Sequence, residues 1–195
     1  MAARDGPATA MSLPHALLAA LLERPGSGSE LASRFDRSIG YFWHATHQQI
    51  YRELARLEKA GLLESLPPES GRGRKRAYRV LPAGRAELAR WTASAVDLAP
   101  SRNELMVRIR AEAIVGPTGL HEELERHLRL HEAKLALYEQ IQQRDFANRE
   151  LTRGQRLQAL VLRSGIESET QAVKFCRDAL AVLAEDDERV DTAPR

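Results

Sequence analysis

The chain has 195 residues, of which 43% are hydrophobic, and its formal net charge is +2. This apolar content can build a buried core, which excludes a disordered chain, and the length allows one or two domains. The charge is unevenly divided, because residues 1–95 hold 14 Lys and Arg against 9 Asp and Glu, whereas residues 96–195 hold 15 against 18. An anionic partner such as nucleic acid would therefore bind the amino-terminal half.

The expected compartment follows from cysteine usage and from the apolar runs. Cys176 is the only cysteine, which rules out an intramolecular disulfide and favours a reducing compartment. The short apolar run at 16–22 lacks the small-residue cleavage site of a signal peptide. No run approaches the roughly 20 residues needed to span a bilayer. We therefore expect a cytoplasmic protein with no membrane partner.

The amino-terminal segment predicts a leader and two helices. Residues 1–11 lack periodicity and are expected to be disordered, with Met11 as an alternative start to Met1. The first helix covers residues 12–23, ends before the Pro-Gly pair at 25–26, and carries an apolar stripe of Leu17, Leu18, Leu21 and Leu22. We expect Ser29 to open a second helix that ends at Gly40 and packs through Leu31, Ala32 and Phe35.

A third helix is predicted from Thr46, because Thr46 and Gln49 have the spacing of a capping box. Ile50, Leu54 and Leu57 recur at helical spacing and would face a core. The remaining faces carry side chains that can reach base edges and phosphates, namely His47, Gln48, Gln49, Tyr51 and Arg52. His47 also lies close enough to the core face to pack at the helix start instead.

A β-hairpin is predicted directly after this helix. Gly61 ends the helix, residues 62–66 and 76–80 can form the strands, and prolines interrupt the chain at 67–68. Five of the nine residues 71–79 are basic, so positive charge is concentrated near the tip. The stretch GRGRK at 71–75 lacks the spacing of a phosphate-binding P-loop, which argues against nucleotide binding.

These residues resemble a known family. The matching positions are Tyr51, Leu54, Leu57, Glu58, Gly61, Leu62, Tyr78 and Gly84, whose spacing resembles that of the PadR family of winged-helix repressors. The stretch SIGYFWHATHQQIYREL is similar to the branch that contains phenolic-acid-responsive regulators. The match is firm over residues 12–94, whereas the second half matches in length and helical character.

The resemblance implies a recognition helix that reads DNA and a wing that contacts phosphates or the minor groove. The DNA contacts it implies are Thr46, His47, Gln48, Gln49, Tyr51 and Arg52 on the helix and Arg72, Arg74, Lys75 and Arg76 on the wing. The alternative interpretation of the same residues is a solvated polar helix face and a solvated run of charge. One departure from the family is Leu81, where a Thr usually caps the next helix, although Pro82 can recover part of that stabilisation.

The resemblance also implies an effector site. In the similar branch, a small aromatic acid binds where the winged-helix domain meets the carboxyl-terminal helices. Phe42, Trp43 and Trp91 are therefore candidate effector-binding residues. As large apolar side chains they could equally be ordinary core residues.

The second half predicts three more helices. Residues 98–101 (LAPS) mark the break between a winged helix-turn-helix domain at 12–95 and a helical domain at 100–186, with a disordered tail at 187–195. A short helix with Leu105, Ile109 and Ala113 ends at the GPTG of 116–119. Two long helices follow, at about 120–146 and 152–184, with apolar residues at alternating three- and four-residue steps.

Both long helices carry more than one apolar stripe, which predicts an antiparallel intrachain pair that also packs on a second copy of the chain. The residues expected to serve dimerisation are Leu124, Leu128, Leu135, Tyr138, Leu157, Val161 and Phe175. His127 and His131 have a spacing that could hold a metal, but such pairs are common on solvated or packed helices. We expect no metal and no cofactor. No catalytic arrangement stands out, so we expect no enzyme.

The sequence thus predicts a mostly α fold with a small β-hairpin wing, comprising a winged helix-turn-helix and a carboxyl-terminal, coiled-coil-like dimerisation domain. We expect a homodimeric repressor that binds a pseudopalindromic operator in double-stranded DNA and is released by a small aromatic effector. Two alternatives are an architectural DNA-binding protein that needs no ligand and a protein-interaction module that uses the basic hairpin.

Overall fold

The structure is a computed structural model that describes residues 12–37, 45–67, 76–96 and 103–191. It divides into two compact units, residues 1–98 and 99–195. The first unit contains α1 (Ser12–Glu23), β1 (Gly26–Ser27), α2 (Gly28–Arg37), α3 (His47–Lys59), β2 (Leu63–Ser65), β3 (Ala77–Val80) and α4 (Pro82–Thr92). The second contains α5 (Glu104–Val115), α6 (Leu120–Asp145) and α7 (Arg153–Asp191). The predicted fold, mostly helical with a small β-sheet, is confirmed.

The core of the first unit forms where the apolar faces of α1, α2 and α3 meet above the sheet. Each helix contributes residues at three- and four-residue spacing, so one face of each is buried. The large side chains that are almost fully buried are Leu17, Leu18, Leu21, Leu31, Phe35, Ile50, Leu54, Leu57 and Leu63. Burial of each such side chain stabilises the fold by about 1.5–3 kcal/mol, which holds α3 firmly on the domain.

A three-stranded antiparallel sheet with the order β1-β3-β2 completes the first unit. In the predicted hairpin, Leu63 pairs with Val80 and Ser65 pairs with Tyr78. The other edge of β3 pairs with β1, where Gly26 lies opposite Tyr78. The sequence did not predict β1, because a two-residue strand that begins with glycine carries no strand propensity of its own.

Helix α2 begins earlier than predicted, and Ser29 does not cap it. The Ser27 hydroxyl accepts a hydrogen bond from the backbone N–H of Glu30 at 3.3 Å. The Glu30 carboxylate accepts one from the backbone N–H of Ser27 at 2.7 Å. This reciprocal arrangement is a capping box, and it fixes the first turn of α2 to the end of β1. The predicted end at Gly40 lies outside the described residues.

The second unit is built on the antiparallel pair α6 and α7. The antiparallel direction is evident because Glu132 pairs with Arg177 at 2.6 Å, whereas the later residue Tyr138 lies against the earlier residue Gly165. Among the described residues, the side chains buried in this unit are Leu120, Leu124, Tyr138, Val173, Cys176 and Glu169. The predicted intrachain pair of long helices is therefore present.

Helix α7 runs to Asp191, whereas the pattern predicts an end near Ala184 and a disordered tail from residue 187. No glycine or proline interrupts the chain between 184 and 191, so nothing in the backbone chemistry stops the helix there. Even at 39 residues, α7 lacks the apolar composition of a membrane span. The same holds for every helix among the described residues.

Candidate nucleic-acid interface

Helix α3 separates a buried apolar face from an exposed polar face. Ile50, Leu54 and Leu57 are at most 1% exposed and pack in the core. The side chains of α3 that are predicted to contact DNA lie exposed on the other faces of the helix, namely His47, Gln48, Gln49, Tyr51 and Arg52. The helix is therefore held from one side and presents its polar residues outward, as an element that enters a groove must.

The predicted capping box opens α3. The Thr46 hydroxyl accepts a hydrogen bond from the backbone N–H of Gln49 at 3.2 Å, and the Gln49 side-chain oxygen accepts one from the backbone N–H of Thr46 at 2.8 Å. Two of the predicted DNA contacts thus also have a structural role. The Thr46 hydroxyl proton and the Gln49 amide protons are the groups that this arrangement leaves for a phosphate or a base.

Two further cations extend the exposed face of α3, and the sequence reasoning missed them. Arg56 and Lys59 are exposed and follow Arg52 by steps of four and three residues. This spacing places the three side chains on one stripe of the helix, and the sequence alone could have predicted that stripe. Arg56 also pairs with Glu53 at 2.6 Å, so part of its charge is already balanced within the helix.

Arg76 ties the base of the wing to α3. Its guanidinium donates to the Glu58 carboxylate at 3.1 Å and to the Ser65 hydroxyl at 2.9 Å, and it lies 5.9 Å from the centre of the Tyr78 ring. Glu58 also accepts a hydrogen bond from the backbone N–H of Ser65 at 3.1 Å. Hydrogen bonding to Ser65 lowers the pKa of Glu58 from its ordinary value, and the charge of Arg76 lowers that pKa further. The other predicted wing contacts, Arg72, Arg74 and Lys75, lie outside the described residues.

Helix α4 begins without a side-chain cap, as the sequence predicts. The side chain of the N-cap residue Leu81 makes no capping hydrogen bond, and Pro82 occupies the first turn. At the other end of α4, the Trp91 ring stacks on the ring of His15, with centroids 4.4 Å apart and an interplanar angle of 6°. His15 lies 3.2 Å from the Glu87 carboxylate. Trp91 thus joins α4 to α1, while Phe42 and Trp43 lie outside the described residues.

The residues predicted to serve dimerisation fall into three groups by burial. Leu124 and Tyr138 are at most 3% exposed and are already buried between the helices of the second unit. Leu157 and Val161 are about half exposed, at 49% and 50%, and the remaining three are partly buried: Leu128, Leu135 and Phe175. The neighbouring Leu160 is 49% exposed, which widens the apolar stripe on α7.

The two histidines with metal-binding spacing have separate partners. His127 lies 3.1 Å from the Glu123 carboxylate, whereas His131 lies 2.6 Å from the Glu169 carboxylate. Among the described residues, no group of three or more His, Cys, Asp or Glu could hold a metal ion.

Comparison with known proteins identifies the family of this chain. Residues 17–90 match the model of the transcriptional regulator PadR-like family, and residues 101–184 match that of the virulence activator alpha C-terminal domain. The probable transcriptional regulator Rv1176c of Mycobacterium tuberculosis is 39% identical over 190 residues, which cover 90% of this chain and 99% of that protein. The chain belongs to the PadR-like family of transcriptional regulators. The PadR-like family and the relative named here are transcriptional regulators and not enzymes.

Solved structures share the fold of this PadR-like chain. The Vibrio cholerae virulence activator AphA superimposes with a TM-score of 0.75 at 28% identity, covering 89% of this chain and 99% of AphA. Bacillus subtilis PadR in complex with operator DNA gives a TM-score of 0.76 at 24% identity, covering 87% and 97%. Bacillus subtilis PadR has also been solved in complex with p-coumaric acid, with a TM-score of 0.71 at 24% identity and coverage of 88% and 98%.

Proposed function

We propose that this protein binds operator DNA sequence-specifically through α3 and the wing, and that it acts as a homodimeric transcriptional repressor. The observation that carries the proposal is the division of α3 into a fully buried apolar face and an exposed face of hydrogen-bonding and cationic side chains. Gln48 and Arg52 would reach base edges in the major groove, and Tyr51 would contact the sugar-phosphate backbone of the DNA or a base. Bacillus subtilis PadR, solved with operator DNA, shares this fold.

The wing would add contacts that do not depend on base sequence. In the chain, the residues Arg72, Arg74 and Lys75 lie between strands β2 and β3, which pair with each other. Arg76 fixes the base of this hairpin to α3 through Glu58. Cations held close to a duplex release counterions from its phosphates, so they raise affinity for every sequence. Arg76 would therefore combine a structural role with a contribution to the local positive field.

Dimerisation would place two copies of α3 in successive major grooves, with half-site centres about 34 Å apart on a pseudopalindromic operator. The exposed stripe of Leu157, Leu160 and Val161 on α7 supports a contact between copies, because a monomer rarely exposes large apolar patches. A dimer bound at a promoter would block transcription. A DNA-binding regulator works beside the chromosome, so in a bacterial cell this protein would be cytoplasmic.

We infer that a small aromatic acid releases the repressor and that Phe42, Trp43 and Trp91 contribute to its site. The support is the similarity to PadR, which has been solved with p-coumaric acid and is named a negative regulator in Bacillus subtilis. That curated relative is 34% identical over 80 residues, which cover 40% of this chain and 44% of PadR. An effector that favours a dimer with wrongly spaced recognition helices by about 1.4 kcal/mol would lower operator affinity tenfold.

The test is a fluorescence-anisotropy titration of labelled DNA from the gene's own promoter and of a scrambled duplex, at about 0.15 M salt with and without aromatic acids. We expect the protein to bind the promoter much more strongly than the scrambled duplex, and one acid to release it from the promoter. Replacement of Arg72, Arg74 and Lys75 by Ala should weaken binding to both duplexes and reduce the salt slope by about 0.9 for each lost phosphate contact. Gln48→Ala should mainly reduce the preference for the promoter.

The other outcomes identify the alternatives. Weak, equal binding to all duplexes that no acid changes would favour an architectural DNA-binding protein. Loss of all DNA binding at physiological salt would favour a protein-interaction module. An unchanged salt slope in the triple variant would reject the role of the wing. If a chain lacking residues 100–195 still sedimented as a dimer, the helical unit would not be the dimer interface.

A further inference from the structure

The ring of Tyr51 occupies the space in which a side chain at Gly28 would begin. A Cβ atom built on Gly28 would lie 2.4 Å from Cε1 of Tyr51, 3.1 Å from Cδ1 and 3.3 Å from Cζ. Gly28 is the first residue of α2 and is buried, whereas Tyr51 lies on α3 and is 46% exposed. One part of the Tyr51 ring therefore rests on the start of the preceding helix, and the rest of the side chain faces solvent.

The surface beneath the ring is held firmly. Gly26 and Ser27 pair with β3 immediately before Gly28, and the capping box of Ser27 and Glu30 closes around it. The φ angle of Gly28 lies outside the left-handed region, so the local backbone does not itself require glycine. At this position the close approach of Tyr51 is what excludes a larger residue.

We propose that Gly28 is a positioning residue for DNA binding, because it seats the Tyr51 ring against α2 and so holds the phenol in one orientation on the outward face of α3. The inference rests on the proposed function and adds to it a residue that need not touch DNA. An aromatic side chain that is already ordered loses less conformational entropy when it binds. Its hydroxyl can donate to a phosphate oxygen or pair with a base edge, as tyrosine hydroxyls do at DNA interfaces.

A double-mutant cycle tests this role. The probe is a labelled duplex selected by the wild-type protein from a random-sequence library, and the variants are Gly28→Ala, Tyr51→Ala and the two combined. Gly28→Ala should weaken binding about tenfold, the effect expected for loss of one polar contact, and should cost nothing further when Tyr51 is already Ala. The matched control is Gly154→Ala, where the nearest atom to the new Cβ is the Thr152 hydroxyl oxygen at 4.0 Å.

A second variant keeps the test independent of how well Gly28→Ala folds. Tyr51→Phe retains the ring against Gly28 and removes only the hydroxyl, so it should lose as much affinity as Tyr51→Ala. Wild-type affinity in Tyr51→Phe, or in a folded Gly28→Ala variant, would overturn the inference. An equal loss from Gly28→Ala in both backgrounds would also overturn it, because Gly28 would then act without Tyr51. Failure of the wild-type protein to select any duplex would instead reject the proposed function, and the inference with it.

Discussion

The ring of Tyr138 on α6 packs against the backbone of Gly165 on α7, so that a Cβ atom at Gly165 would lie 2.9 Å from Cε2 of the ring. The contact explains why a glycine occupies position 165. Gly165→Ala should therefore lower the free energy of unfolding of the helical unit by about 1–3 kcal/mol. The added methyl would overpack the interface, and that cost exceeds the stabilisation from alanine's higher helix propensity. Chemical denaturation followed by circular dichroism measures this change.

The control for Gly165 lies on the same helix. At Gly154 a new Cβ would meet only the Thr152 hydroxyl oxygen at 4.0 Å, so Gly154→Ala should stabilise the protein by a few tenths to about 1 kcal/mol. Opposite signs for the two substitutions are expected. A stabilising Gly165→Ala would show that the ring of Tyr138 moves aside without cost.

The buried carboxylate of Glu169 should make the stability of the helical unit sensitive to acid. Burial by itself would raise the pKa of Glu169, but hydrogen bonding with Lys134 and His131, each at 2.6 Å, lowers that pKa below its ordinary value. Since the folded state favours the ionised form, the stabilisation is present above the unfolded pKa of about 4.3 and is lost as the pH falls through the folded value.

Glu169→Gln should remove this part of the acid dependence and lower the free energy of unfolding near neutral pH by about 1–3 kcal/mol. Urea denaturation between pH 3 and pH 7, compared with the wild type, is the measurement. Glu167→Gln is the matched control, because Glu167 is exposed and its contact with Arg163 is a surface pair worth little. Parallel pH profiles for the wild type and Glu169→Gln would contradict the assignment.

Whereas Gly165 lies against a side-chain ring, Gly84 lies against the protein backbone. A Cβ there would lie 2.1 Å from the backbone oxygen of Leu62, which also accepts a hydrogen bond from the N–H of Leu81 at 3.0 Å. Because a backbone atom in the turn before β2 cannot rotate away, Gly84→Ala should lower the thermal unfolding midpoint of the first unit sharply, at a cost of about 2–3 kcal/mol. A midpoint within a degree of the wild type would show that α4 slides easily over the turn.

The exposed stripe on α7 should decide the oligomeric state. Leu157→Glu combined with Val161→Glu places two charges in the proposed interface between copies, where their desolvation would be costly. We expect sedimentation velocity to show a monomer for this variant and a dimer for the wild type. Gln171→Glu adds a charge to an exposed position of the same helix and should leave the dimer intact. A dimer in the double variant would place the interface on other residues.

Local patterns predicted the elements that local chemistry decides. The capping box of Thr46 and Gln49 and the uncapped start of α4 at Leu81 depend on residues a few positions apart. The hairpin after Gly61 joins two strands that follow each other directly in the chain, and the structure confirms all three predictions. The same reasoning found the buried face of α3, because residues at helical spacing must share a side. The sequence also carried the resemblance that the comparisons confirm, since the spacing of the PadR pattern lies within one continuous stretch.

Only the tertiary structure decided which surfaces each residue meets. Strand β1 exists because β3 offers it hydrogen-bonding groups, and the wing residue Arg76 pairs with Glu58, which lies 18 positions earlier in the chain. Tyr51 rests on Gly28 and Tyr138 on Gly165, two contacts that no periodicity records, because they join elements whose relative placement depends on the packing of the whole unit. Hydrophobic spacing can show that a residue needs a partner, whereas the choice between a partner in the same chain and one in a second copy depends on which surfaces folding leaves exposed.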